Sequence, residues 1–541
     1  MLGQMQDWSL RVSHILDHAA RYHGGRAIVT RSVEGPVTRT TWGQVHARAR
    51  RAAQALTRLG LRKGERVGVM AWNTARHLEL WYGVPGAGGV THSLNPRLFA
   101  EQLAYIIGHA GDRFVAFDPD MAALMAALAP GLETVERYIC MTDRAHMPEM
   151  ALDALCYEDL IAQGDGDFAW TDGDERDACG ICYTSGTTGK PKGVVYSHRS
   201  NVLHAMTMIQ PDMLGLSSRD VLMPVVPLFH ANGWSAAFSA PMAGAGMVLP
   251  GRDLSAPALR EMLETGVTIT AAVPTVWLGL LDYLRRENLG LSTLNRVVIG
   301  GSACPQAVIE AFQRDYGVAV LHAWGMTETS PLGSFCSLKP EVADLPEAER
   351  IRTQLKVGHP PFTVDLDLRD DEGGPVPWDG ESRGRLVVRG PGVVGRYLGA
   401  EAPATDAAGW FDTGDVATLD ALGYVRIVDR TKDVIKSGGE WISSIDLENV
   451  AVGHPDVAEA AAIGVAHPKW GERPVLAVVP RKGAAPTREA ILDHMAARFA
   501  RWQLPDDVIF LDELPHTATG KLSKLTLREL LAEQGYRLPG T

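Results

Sequence analysis

Between Tyr183 and Gly193 the chain reads YTSGTTGKPKG, a cluster of small hydroxyls, glycines and lysines. Thr184, Ser185, Thr187 and Thr188 supply hydroxyl donors. Gly186 and Gly189 let backbone N–H groups approach an anion closely, and Lys190 adds charge. The spacing is not that of a Walker loop, because Thr184 stands where the first glycine is required and Pro191 follows the lysine. The chemistry that fits is a cradle for the β- and γ-phosphates of ATP, held as a leaving group. A plain Ser/Thr/Gly linker is the bland alternative.

Such a loop needs a rigid scaffold, and the flanking sequence predicts one. ERVGVMAWN, RFVAFD, TITAAVP, RVVIGGSA and VAVLHAWGMTE read as short strands running into loops, with helical stretches such as APALREMLETG between them. This alternation predicts layered α/β subdomains with mostly parallel strands, whose chemistry sits at the carboxyl ends of the strands. Around residue 360, LDLRD, RLVVRG and GYVRIVD alternate with turn signals and predict a small β-rich module. DRTKDVIKSGGEWIS then opens a small C-terminal α+β domain that ends in an exposed polar tail. The boundary is placed at Asp429–Lys432, giving residues 1–429 and 430–541 as two domains.

YTSGTTGKPKGVV resembles the signature of the adenylate-forming superfamily of acyl-CoA synthetases, adenylation domains and luciferases. The likeness continues in family order through PLFHANGW, GGSACP, AWGMTE, GWFDTGD, DRTKD and TGK. It implies attack of a carboxylate on the α-phosphorus of ATP, a step dominated by positioning and charge neutralisation. By resemblance, Glu328 holds Mg²⁺ together with Thr187, and Thr327 meets the nucleotide phosphates. Gly301, Ser302 and Ala303 line the adenine pocket, and His322, Ala323, Trp324, Gly325 and Met326 complete the nucleotide site. Trp324 stands where the family often has tyrosine, keeping a stacking face but losing the hydroxyl. Asp415 takes the ribose hydroxyls with help from Arg430. Lys521, in HTATGKLSK, bridges the substrate carboxylate and the α-phosphate.

The resemblance also implies a second step, in which the small domain is mobile and turns about Lys432 to admit coenzyme A. Gly438, Gly439, Glu440 and Trp441 then line the pantetheine tunnel, and Lys436 stays near the nucleotide. DRTKDVIKSGGEWISS is similar to the fatty acyl-CoA synthetase branch. His230, Trp234, Gly300 and Pro331 are the acyl-pocket candidates. Trp234 either gates an acyl channel, as in related enzymes, or is a buried structural tryptophan. Beside Gly233 its bulk favours a compact acid. The opening MLGQMQDWSLRVSHILDHAARYHGGRAIVTRSVEG resembles bacterial 3-methylmercaptopropionyl-CoA ligases and their medium-chain relatives. That makes 3-(methylthio)propanoate a leading substrate candidate.

The totals bound the alternatives. With 541 residues the chain exceeds one core, and 46% hydrophobic with 21% charged residues is ordinary globular composition. A net charge of −12 argues against nucleic acid. No apolar run has spanning length, MLGQMQDWSL lacks a secretory pattern, and six cysteines make no disulfide framework, so a cytoplasmic enzyme is expected. GPGVVG has no dinucleotide context. CGIC places Cys179 and Cys182 on opposite strand faces, away from any shared metal. The reading is an acid–CoA ligase using ATP, coenzyme A and Mg²⁺, with a homodimer expected from the family. A fused carrier domain of ~80 residues has no room after Lys521. Charging of a separate carrier protein, a long-chain ligase and a catalytically dead nucleotide sensor remain as alternatives.

Overall fold

The computed structural model describes residues 1, 3–184, 190–438, 440–517 and 522–538. Two large sheets share a middle layer of helices. The first contains, in spatial order, Ala154–Cys156, Arg137–Cys140, Asp112–Phe117, Arg66–Met70, Val90–Ser93, Ala178–Thr184 and Lys192–Ser197. Its strands are parallel except for the last, which pairs antiparallel with Ala178–Thr184. The second runs Leu332–Phe335, Ala319–Gly325, Arg296–Ile299, Ile269–Ala272, Val221–Pro224, Gly246–Leu249, Ala27–Arg31 and Val37–Thr41. Here both edge strands are antiparallel and the interior is parallel. Interior strands such as RVVI and ITAA are apolar or small on both faces, as a sheet covered twice requires.

The helices Val12–His23, Trp42–Arg58, Ala75–Gly86 and His198–Met208 fill the space between the sheets. Trp42–Arg58 shows why: Trp42, Val45, Ala49, Ala52, Ala53 and Leu56 recur at helical spacing and are all buried. Thr41 caps the helix by accepting from the Gln44 N–H. Outer helices, including Ala256–Leu263 and Pro274–Arg286, cover the far face of the second sheet. Ala100–Ala110 covers the first.

An antiparallel sheet of Asp365–Arg369, Gly384–Arg389, Phe411–Leu419 and Val425–Arg430 forms the β-rich module. It docks on the strand ends of both large sheets, burying Cys182, Val194, Tyr196 and Trp324 with Leu366, Leu386 and Phe411. The C-terminal part builds a five-stranded sheet around Val457–His467 and Gly471–Pro480. Large and small domains of mixed α/β type thus follow the expectation. The expected polar tail does not. Lys524–Glu533 is a helix whose Leu527 and Leu531 pack on the C-terminal sheet, their i, i+4 spacing forming one apolar stripe.

Candidate functional site

The two large sheets converge on one cluster of side chains at their strand ends, where the β-rich module meets them. Asp415, on the strand Phe411–Leu419, is 2% exposed. Its Oδ2 accepts from the Trp324 indole Nε1 at 2.9 Å. Its Oδ1 pairs with the Arg430 Nε at 2.8 Å. A carboxylate is an acceptor-only group, the type that vicinal hydroxyls donate to. Trp324 therefore replaces the hydroxyl of the commoner tyrosine with an N–H donor and ties the two residues together.

The turn after Trp324 depends on a glycine. A Cβ at Gly325 would overlap the Pro331 carbonyl oxygen, which also accepts the Met326 N–H at 2.7 Å. Gly333 lies against the Trp324 ring, so a Cβ there would fall 2.5 Å from the indole. Gly325→Ala should push Trp324 and the following turn out of place. The expected result is at least a tenfold loss of kcat/KM for the nucleotide reaction. A variant of wild-type activity would show that the close approach at Gly325 does not set the site.

Glu328 is 7% exposed, not a solvated surface residue. Its Oε1 accepts from the Tyr397 hydroxyl at 2.9 Å, and its backbone carbonyl accepts from Val394 N–H at 2.8 Å. Burial raises the Glu328 pKa, opposed by the Tyr397 hydrogen bond and by the charges of Arg430 and Lys192. Lys192 lies over the Tyr397 ring at 4.9 Å. Thr327 is buried beside Glu328, its carbonyl accepting from Tyr196 OH at 2.8 Å. Tyr397 and Lys192 were not predicted. Lys192 lies within YTSGTTGKPKG, two residues past Lys190, and Tyr397 follows GPGVVG by two residues.

The remaining candidates are distributed as follows. Thr184 ends its strand, paired with Lys192, whereas Ser185, Gly186, Thr187, Thr188 and Gly189 lie outside the described residues. Lys190 places its Nζ over the Tyr105 ring at 5.1 Å. Gly300 and Gly301 follow the strand Arg296–Ile299, with Gly301 at a φ of +83°; Ser302 is exposed and Ala303 half-buried. His322 is buried, its Nδ1 3.3 Å from the Gln354 carbonyl, and burial lowers its pKa to about 4. Ala323 is buried on the same strand.

Trp234 meets this group from the other side. A Cβ on Gly300 would come 3.1 Å from the Trp234 ring, so the indole lines the wall beneath Gly300. The ring is aimed by an unusual turn: Ala231, Asn232, Gly233, Trp234 and Ser235 all have φ between 45° and 69°. Non-glycine residues there cost roughly 1–2 kcal/mol each. Buried polar contacts hold the turn. Ala231 N–H donates to Cys182 Sγ, Asn232 Nδ2 to Asn201 Oδ1, and Asn201 Nδ2 to Cys179 Sγ. Both cysteines of CGIC thus serve the same turn, their strand carrying a register shift between Ala178 and Gly180, which departs from the expected opposite faces. His230 precedes the turn, half-buried, and its carbonyl accepts from Gly233 N–H.

In the C-terminal part, Lys436 lies over the Trp441 ring at 5.8 Å. Gly438 has a φ of +62°, and a Cβ there would meet the Trp470 ring at 2.9 Å. Glu440 is exposed, and the Trp441 carbonyl accepts from Arg383 Nη1 across to the β-rich module at 2.9 Å. Burial lowers the Lys432 pKa, aided by Arg430 and Arg528 and opposed by Asp433. Gly439 and Lys521 lie outside the described residues.

Residues 16–398 match the AMP-binding enzyme family, and residues 446–521 match the AMP-binding enzyme C-terminal domain. The chain belongs to the AMP-binding enzyme family. It is 49% identical to a 3-methylmercaptopropionyl-CoA ligase of Ruegeria lacuscaerulensis, over 98% of each chain. It is 46% identical to a medium-chain-fatty-acid–CoA ligase of Ectopseudomonas oleovorans, covering 98% of this chain and 97% of that one. Among solved structures it is similar to the anthranilate CoA ligase AuaEII in complex with anthranoyl-AMP. The TM-score is 0.88 at 26% identity, covering 98% of this chain and 99% of the other.

Proposed function

We propose that this family member is an ATP-dependent acid–CoA ligase. It joins a carboxylic acid to AMP with release of diphosphate, then passes the acyl group to the thiol of coenzyme A. The observation that carries the reading is the Asp415 carboxylate, fixed by Arg430 and Trp324, with the same Arg430 charge acting on the buried carboxylate of Glu328. One group suits ribose hydroxyls. The other suits a hard divalent cation.

Mg²⁺ fits that second group. Glu328 is a buried oxygen donor whose ionisation is opposed by desolvation, and a cation beside it would relieve that cost. Glu328 with Thr187 would hold the ion, which when bound neutralises phosphate charge. The chain's own residues do the positioning: Tyr397 orients Glu328, and Arg430 orients Asp415. Lys521 would supply the mobile charge. In this reading residues 1–429 form the AMP-binding domain and residues 430–541 a mobile lid turning at Lys432. The hydroxyl loop from Ser185 to Lys190 serves the phosphates, and Gly438 to Trp441 serve coenzyme A.

The acid is a short-to-medium one, with 3-(methylthio)propanoate the first candidate. The ligase of Ruegeria lacuscaerulensis and the medium-chain ligase of Ectopseudomonas oleovorans support this, as does the Trp234 ring under Gly300. A cytoplasmic homodimer is the assembly we infer from the family. Among the described residues no helix is long and apolar enough to cross a membrane.

The test is AMP and diphosphate release from ATP with acids from acetate to palmitate and with methylthio and aryl acids, with and without coenzyme A. Complete absence of AMP with every acid would overturn the reading. Turnover that needs a carrier protein in place of coenzyme A would move it to a carrier-charging enzyme. Trp234→Ala should shift preference toward longer acids, because removing the indole opens the wall beneath Gly300. An unchanged chain-length profile would remove Trp234 from the pocket.

A further inference from the structure

At the opposite end of the first sheet from the strand-end cluster lies a cavity of about 60 Å³, lined by Arg11, Lys63, Gly64, Gly88, Asp177 and His198. Arg11 is 5% exposed, yet its Nε and Nη1 have no hydrogen-bond partner among the described residues. The carboxylates nearby are shared among several cations, and the Asp177 charge reaches Arg11 as well as Lys63. Asp177 pairs with Lys63 at 2.8 Å. Glu175 pairs with Arg199 and accepts the Leu10 N–H. Two cations, the buried Arg11 and the half-exposed Lys63, thus share one acid, leaving net positive charge at the cavity with Arg11 on its buried side. Such a charge is costly unless something neutralises it.

The imidazole of His198 sharpens the point. Its Nδ1 lies 3.3 Å from Val12 N–H, and its Nε2 lies 3.4 Å from Arg11 Nη2. Burial, then the Arg11 charge, lowers its pKa to about 3, so the ring is neutral and carries one proton. If Nδ1 accepts from Val12, the proton sits on Nε2 and points at the Arg11 donor. If the proton sits on Nδ1, it points at the Val12 N–H. Either tautomer sets two donors against each other, and only an added acceptor resolves the conflict.

We propose that this cavity binds a small inorganic monoanion of halide or bicarbonate size, held by the Arg11 guanidinium and the Lys63 ammonium. A volume of about 60 Å³ excludes a nucleotide or a chain-bearing acid. A water would supply an acceptor but leave the charge unmatched. The bound anion would fasten the start of the helix Val12–His23 to the strand Ala178–Thr184, whose far end leads into the hydroxyl loop.

The probes are chloride and bromide. In crystals of the full chain grown in bromide, an anomalous peak is expected beside Arg11. In solution, the unfolding temperature should rise saturably as potassium gluconate is replaced by potassium chloride at constant ionic strength. Arg11→Gln should abolish that dependence, and Lys63→Met, at a half-exposed side chain, should weaken it. Absence of the bromide peak overturns the proposal, as does a chloride dependence unchanged in both variants. Should Arg11→Gln fail to fold, the bromide map and Lys63→Met decide the matter.

Discussion

Lys521→Ala is expected to slow acyl-adenylate formation about a hundredfold, equivalent to roughly 3 kcal/mol of transition-state stabilisation. Thioester formation from supplied acyl-AMP should be largely spared. The ground lies in the residues that flank the lysine. His516 and Leu522 form an antiparallel bridge, and Ser523 N–H donates to the Pro515 carbonyl at 2.8 Å, so the described residues on both flanks are pinned together. Three residues beyond Lys521, the half-buried Lys524 pairs with Glu448 at 2.8 Å and also contacts the Ser444 hydroxyl. Ser444 in turn donates from its N–H and hydroxyl to Asp429 Oδ2, at 2.7 and 2.6 Å. A polar chain thus runs from Asp429, at the proposed domain boundary, to Lys524, three residues past Lys521. In this account Lys524→Met loosens the segment that begins at Leu522 and also lowers adenylation, by less than Lys521→Ala. Diphosphate exchange against acyl-AMP thiolysis reads the two steps separately. An equal fall in both half-reactions for Lys521→Ala would sink the two-role account of the small domain.

Local sequence made much of this molecule legible and left other parts hidden, for physical reasons. The strand-to-loop transitions were readable because two-faced parallel strands and amphipathic helices carry opposite periodicities, as RVVIGG and Trp42–Arg58 show. AWGMTE and DTGD were readable as motifs, yet their joining through the Trp324 N–H was not, because 91 residues separate the indole from Asp415. Tyr397 was missed for the same reason. It reaches Glu328 from a loop with no periodicity, 69 residues on. The left-handed turn at 231–235 was invisible because Ala231, Trp234 and Ser235 have no preference for positive φ. Contacts to Cys182 and Asn201 impose it from outside. The helix Lys524–Glu533 was read as a polar tail because its apolar stripe is only two leucines wide.

Glu328→Gln should separate stability from activity. A carboxyl whose folded pKa is raised by burial favours folding below its unfolded pKa, and that advantage is lost as pH rises through the folded value. At neutral pH the ionised Glu328 is therefore a net cost to the ligand-free fold. Glutamine keeps an oxygen to accept from Tyr397 and removes the buried charge. The ligand-free variant should unfold at a temperature no lower than the parent at pH 7.5. Any gain should shrink toward about pH 4, where the parental carboxyl is itself protonated. The other buried carboxyls, Asp112 and Asp118 among them, are common to both proteins and cancel in the comparison. Adenylation should nevertheless fall by about 10²–10³, the scale for losing one preorganised charge contact in a transition state. The thermal upshift given by magnesium and ATP should also shrink, because the carboxylate no longer gains from a cation. A clear loss of ligand-free stability at pH 7.5 would mean that Glu328 holds the fold through Tyr397 and the 390–397 loop. The proposed cation site would then lose its main support.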